Sequence, residues 1–324
     1  MKVFLYLVLI FVSSFGFSQN SKLQGRWILD KIVLDNKEEI PPFARDFSFI
    51  NTLYFKGNLV ELGNRNFNYE ATSSNIKTPF RNIKYRFNDD YLILKDQDDY
   101  KELYYLSEKD YLKKYPEFNP TTVKIKDKDI YLANEVVKPY YNSTLAFEEY
   151  MDKFLPKFSL NKNEPKFFKA NFVIKKDGSL GEVFIVNSVS ANFDAKFLHL
   201  LKNAEKYMKN NFDVDLLVTY TYAFDLNKYE TKEEKKFNKL FEDSERIYFT
   251  HDFEKALSAQ QKLFNEGFST ELLNRYQTKF NEAKIRLGVC YYMLNQPQKA
   301  CEVFAEVGDV TKLSVRNYLL NLCK

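Results

Sequence analysis

Between residues 52 and 132 the chain breaks into apolar runs of three to five residues, each closed by polar or turn-forming residues. Thr52–Phe55, Leu59–Leu62, Phe67–Ala71, Ile83–Phe87, Tyr91–Lys95, Glu102–Leu106, Thr122–Ile125 and Ile130–Leu132 read as short strands. Lys56-Gly57-Asn58 and Asn88-Asp89-Asp90 supply hairpin turns between them. Many short strands at this spacing predict an all-β barrel or sandwich. The aromatic content of 17%, with 31 Phe and 23 Tyr, suits such a fold because rings pack well on a pleated surface.

The first residues are of another kind. Lys2 precedes the unbroken apolar run Val3–Val12, and Gly16 and Ser18 place small residues before Gln19. This is the pattern of a secretory signal peptide over residues 1–18, cleaved on export. The run is about half of the roughly 20 residues that a spanning helix needs. The mature chain is therefore expected outside the cytoplasm, in the periplasm of a Gram-negative bacterium, with no stable membrane span. Export permits disulfides, and Cys290, Cys301 and Cys323 leave two alternatives open: one bridge with a free thiol, or buried free cysteines.

Residues 19–138 form the first expected domain. The pair Gly25-x-Trp27, with Phe55-Lys56-Gly57-Asn58 and Leu106-Ser107-Glu108-Lys109-Asp110-Tyr111-Leu112, resembles small secreted lipocalin-like domains. That resemblance implies a tryptophan plugging one end of a barrel or sandwich. The interior is then either an apolar-ligand cavity or a filled β-core. The acidic Asp96-Gln97-Asp98-Asp99 reads as a solvated turn, since it lacks the glycine and distal glutamate of a calcium loop.

Residues 139–229 change period. Ser143 and Thr144 precede an amphipathic helix over Leu145–Leu155, stopped at Pro156. Two alternating strands then flank Asp177-Gly178, a helix follows Asn192-Phe193-Asp194, and Val214–Leu226 alternates again: an α+β unit. This order, with Phe172–Val183, Phe193-Asp194-Ala195 and Leu216–Leu226, resembles the C-terminal domain of TonB-type proteins, although the Trp-x-Pro of that family is missing. The resemblance implies docking of an extended peptide on a strand edge at Leu216–Phe224, with Leu217, Thr219, Thr221 and Ala223 on the partner side.

Residues 230–324 read as all-α helical hairpins. Leu287-Gly288-x-x-Tyr291, Asn295-Gln296-Pro297 and Ala300-x-x-x-Phe304 resemble a tetratricopeptide repeat, with a weaker copy at His251–Leu257. The resemblance implies a peptide groove with Glu282, Val289 and Tyr292 on its side, the alternative being a plain helical cap.

Function classes narrow accordingly. The 48 basic and 44 acidic residues are spread evenly, so no basic face for nucleic acid is visible. Two histidines and nine glycines offer no metal site, no nucleophile–base pairing and no phosphate loop. No catalytic residue, metal or cofactor is expected. The leading expectation is a non-enzymatic envelope protein that binds a protein or peptide through the strand edge and the helical groove. The alternative is a carrier of a small apolar ligand in the first domain.

Overall fold

The computed structural model describes residues 21–40, 51–96, 99–156, 167–223 and 231–323. The expected signal peptide and Phe224 lie outside them. The chain divides into two units that alternate along the sequence. One comprises the described residues up to Asn119 with Pro139–Phe154 and Lys206–Lys209; the other holds Pro120–Lys138, the described part of Leu155–Glu205, and Asn210 onward.

The first unit is a nine-stranded antiparallel sheet. Its strands are β1 (Gly25–Leu34), β2 (Thr52–Lys56), β3 (Leu59–Leu62), β4 (Arg65–Asn68), β5 (Glu70–Ala71), β6 (Asn75–Lys77), β7 (Asn82–Asn88), β8 (Tyr91–Asp96) and β9 (Lys101–Ser107). The order β4-β3-β2-β1-β9-β8-β7-β6-β5 places β4 and β5 at its two ends. Only Tyr69 separates these two strands in the chain, so the sheet nearly closes into a barrel. The turn residues do what the sequence predicts: Lys56 pairs with Leu59 around Gly57-Asn58, and Asn88 with Tyr91 around Asp89-Asp90. Gly57 and Asp89 both have φ in the left-handed region that such turns require.

Alternation then sorts the side chains. Trp27, Leu29, Phe55, Val60, Ile76, Leu92, Leu94 and Tyr105 turn into one apolar cluster. β1 would lose this phase after Leu29. A bulge between Leu29 and Lys31 inserts Asp30 as an extra residue and returns Ile32 to the cluster. On the outer side, helix α1 (Glu108–Lys114) lies against β1 and β9, where Ile28, Ile93 and Leu106 are buried along with Tyr111 and Phe118. Residues 139–144 strap the outer face of the neighbouring strands. Arg26 donates to Glu108 at 2.8 Å and to the Pro139 carbonyl at 3.2 Å, and Lys56 Nζ reaches the Tyr141 carbonyl at 2.9 Å. Asn66 donates to the carbonyls of Ser143 and Thr144, which ties these residues into the strap. Helix α2 (Phe147–Phe154) begins only after them.

The second unit holds a five-stranded sheet of β10 (Thr122–Ile125), β11 (Lys128–Leu132), β13 (Phe167–Ile174), β14 (Leu180–Asn187) and β16 (Leu216–Ala223), in the order β10-β11-β16-β13-β14. The short strands β12 (Tyr140–Tyr141) and β15 (Met208–Lys209) pair with each other in the first unit. The expected boundary at residue 138 therefore shifts. The runs at 122–125 and 130–132, read as part of the first domain, pair instead into the second sheet through a parallel β11–β16 contact. Helix α3 (Ala191–Ala204) covers one face, where Phe193 and Phe197 meet Phe168 at ring distances of 4.9 and 4.7 Å. Its cap is Ser190, whose hydroxyl accepts from Phe193 N.

Helices α4 (Lys232–Tyr248), α5 (Phe253–Phe264), α6 (Thr270–Arg275), α7 (Gln277–Met293), α8 (Pro297–Val307) and α9 (Leu313–Leu322) complete this unit. The internal copy is visible in the backbone: His251 and Asn295, 44 residues apart, both turn left-handed at φ 61° and 58° before α5 and α8. Ala256 and Ala300 are both fully buried on the helices that follow. Where the second hairpin places Gly288 against Phe304, the first has Ser244 and Gln260, both buried, and the Gln260 amide finds no hydrogen-bond partner among the described residues. A Cβ on Gly288 would stand 2.4 Å from the Phe304 ring. Gly288→Ala is therefore expected to cost about 2 kcal/mol through overpacking. An unchanged urea midpoint at 222 nm would show that the helices separate freely.

Candidate functional site

The two ends of the barrel-like sheet differ. At one end residues 21–23 are helical, and Trp27 Nε1 donates to the Leu23 carbonyl at 2.8 Å. Gln24 bridges to Gly57 and Tyr69: its amide donates to the Tyr69 hydroxyl at 3.0 Å, and its oxygen accepts from Gly57 N at 2.7 Å. Leu23, Trp27, Phe55 and Tyr69 are all buried there. This end is shut.

Toward the other end the same inward positions loosen. Leu34, Leu62, Ile83 and Leu103 belong to the apolar lining but are only partly buried. Their registers place them together: Leu34 opposite Lys101, Leu62 opposite Arg65 and Ile83 opposite Asp96, each beside a strand end. Polar atoms along the lining are neutral and engaged. The Tyr85 hydroxyl donates to the Thr72 carbonyl at 2.7 Å and the Tyr69 hydroxyl to the Gly57 carbonyl at 3.0 Å. Burial raises the phenols of Tyr69, Tyr85 and Tyr105 above their ordinary value, which keeps them protonated at neutral pH. Such a lining suits an apolar molecule with at most a small polar head.

The bulge residue Asp30 makes a second polar cluster on the outer side. Its carboxylate accepts from Tyr91 at 2.8 Å, from Lys114 at 2.7 Å and from the Tyr115 hydroxyl. Burial alone would raise the Asp30 carboxyl, but these hydrogen bonds outweigh it and hold the group below its ordinary value. Both of its oxygens are held by neighbours, so it ties α1 to the sheet.

The expected partner-binding residues do not gather. β16 is an inner strand: β13 pairs along its whole length, and β11 pairs on the other side at Leu216 and Leu217. Leu217 is buried with Ile130 and Val173. The expected edge survives only from Val218 on, where the β11 side has no strand partner among the described residues. There Thr219 donates to Asn171 at 2.9 Å, Thr221 is exposed and Ala223 pairs with Phe167. On α7, Val289 is 1% exposed and cannot line a groove; Glu282 lies 3.7 Å from Arg286, and Tyr292 is half-buried. α7 runs between neighbouring helices, so the face expected to meet a peptide meets protein instead. The histidines are engaged elsewhere, His199 beside Asn203 at 3.0 Å and His251 in a turn.

Sequence reasoning passed over Leu62, Ile83 and Leu103, which strand alternation marks as inward-facing, and Leu34, which only the bulge at Asp30 turns inward. No family model, curated protein or solved structure matches the chain.

Proposed function

We propose that this protein is an exported, non-enzymatic carrier that holds a small apolar molecule inside its lipocalin-like first unit. The observation that supports this is the lining away from Trp27, where Leu34, Leu62, Ile83 and Leu103 all stay only partly buried, against Phe87 beside Trp27 at the other end. A core whose only task is to fill itself gains stability by burying these four residues as fully as the others. The disulfide between Cys301 and Cys323 supports an oxidising compartment, in line with the signal-like leader. No helix among the described residues is long and apolar enough to cross a membrane.

A titration with N-phenyl-1-naphthylamine, an uncharged apolar fluorophore, tests the reading. Saturable binding at one site is expected, weakened at least tenfold by Leu103→Asn, because an unpaired amide in the lining costs about 1–3 kcal/mol. Linear, unsaturable fluorescence, or a variant that binds like the wild type, would contradict it.

A second reading is favoured by the side of β16 beyond Leu217 that has no strand partner among the described residues. The second unit, read as a TonB-C-like domain followed by tetratricopeptide-like hairpins, would add an extended envelope peptide along Val218–Ala223.

A further inference from the structure

The wall of the barrel-like sheet changes partners at one place. β4 pairs with β3 from Arg65 to Asn68, and directly after Tyr69 the chain pairs with β6 instead, Glu70 opposite Lys77 and Ala71 opposite Ile76. β4 therefore ends the strand order, and its second side has no strand partner among the described residues. Two of the partly buried lining residues border this stretch of wall. Leu62 stands opposite Arg65 on one side of it, and Ile83 stands opposite Ile76 on the other. Phe67, on β4 itself, belongs to the same lining and is also only partly buried.

One ring spans to Phe67 from across this stretch. Phe80, at the tip between β6 and β7, meets the Phe67 ring edge-to-face, with centroids 5.4 Å apart and planes at 86°. Phe80 is nonetheless 75% exposed, so little besides Phe67 covers it. The backbone beneath the ring is fixed. Thr78 N donates to the Arg81 carbonyl at 2.8 Å, Thr78 Oγ1 accepts from Arg81 N at 3.1 Å, and Pro79 locks its own φ. The β4 side is pinned as well, by Asn66 on the Ser143 and Thr144 carbonyls at 3.1 and 3.0 Å. Between two fixed rims the part able to turn is the Phe80 side chain, since exposed side chains change rotamer within nanoseconds. A passing molecule exchanges the ring pair for contact with its own surface, which suits one that is apolar and uncharged.

We propose that the apolar molecule enters and leaves through the side of the sheet, between β4 and the β6–β7 tip, and that Phe80 closed on Phe67 is the gate it must open. The inference rests on the carrier reading and adds to it the route and the residue that sets the rate of exchange. Trp27 and the residues packed around it shut one end, whereas this passage is closed by a single pair of rings.

Stopped-flow mixing of the mature chain with N-phenyl-1-naphthylamine, followed by dilution of the loaded protein, reads entry and release separately. Phe80→Ala should speed both about tenfold, the weight of one ring pair, and leave Kd within about twofold of the wild type. Because Phe80 is exposed, the Trp27 unfolding midpoint of this variant should match the wild type, which shows the fold intact. Tyr100→Ala, at the tip between β8 and β9, should leave both rates unchanged. A Phe80→Ala chain with wild-type rates would overturn the gate, and so would one that binds more weakly with entry unchanged, since Phe80 would then be wall. Equal acceleration by Tyr100→Ala would place the route elsewhere and overturn it too. A wild type with no saturable binding would remove the carrier and the gate together, whereas saturable binding indifferent to Phe80→Ala would remove the gate alone.

Discussion

Replacing Asp30 by alanine is expected to destabilise the first unit by about 3 kcal/mol, since it strands Lys114 and two tyrosine hydroxyls around a site they now fill. The Asp30 side chain is 2% exposed, so water does not replace the lost contacts without rearrangement. The effect carries a pH signature. Because hydrogen bonds hold the folded-state carboxyl below its unfolded value, its contribution is present above the unfolded value of about 3.9 and is lost as pH falls through the lower, folded one. The wild type should therefore lose stability as pH drops below about 5, and Asp30→Ala should lose less over the same range. Trp27 is the only tryptophan and lies on the same strand, so its emission in urea reads this unit without interference from the helices. Equal midpoints for the two proteins at pH 7 would show that the cluster contributes nothing.

Reduction of the Cys301–Cys323 bridge is the second large effect. It closes a loop of 22 residues joining α8 to the end of α9, for which chain entropy gives about 3 kcal/mol. Cys301→Ser with Cys323→Ser should lower the 222-nm urea midpoint while leaving the Trp27 transition in place. Cys290 is fully buried, and burial pushes its thiol up to about 12, so it stays an unreactive thiol in the native protein. Thiol titration should accordingly find none reactive in the native oxidised chain and one after unfolding without reductant. A readily titrated thiol pair in the native, unreduced protein would contradict the bridge.

What was legible in the sequence is what depends on neighbours in the chain. The strand runs from Thr52 to Leu106, the hairpins at Gly57, Asp89 and Asp177-Gly178, and the helical pairing around Gly288 and Ala300 all follow from local periodicity and turn chemistry. What was not legible depends on partners far away. The runs at 122–132 read correctly as strands, but nothing local says that Leu132 pairs with Leu217, so their sheet is not legible in the sequence. The same holds for β16, which alternates like an edge strand but is flanked on both sides at its start. Val289 sits on a helix expected to have a free face, and only the packing of other helices buries it. The spacing of three cysteines does not choose among pairings; the meeting of α8 with the end of α9 does. Asp30 is recruited by residues 61 to 85 positions later, and its bulge has no sequence marker.

Native mass spectrometry of the mature chain, purified from its own cells without detergent, tests the carrier reading most directly. The expected spectrum shows a one-to-one adduct of a small apolar molecule on the wild type that is lost from Leu103→Asn. A wild-type chain at its bare sequence mass, from cells whose lipids are recovered intact in the same extract, would contradict a carrier and return the open end to a plain, imperfectly covered core.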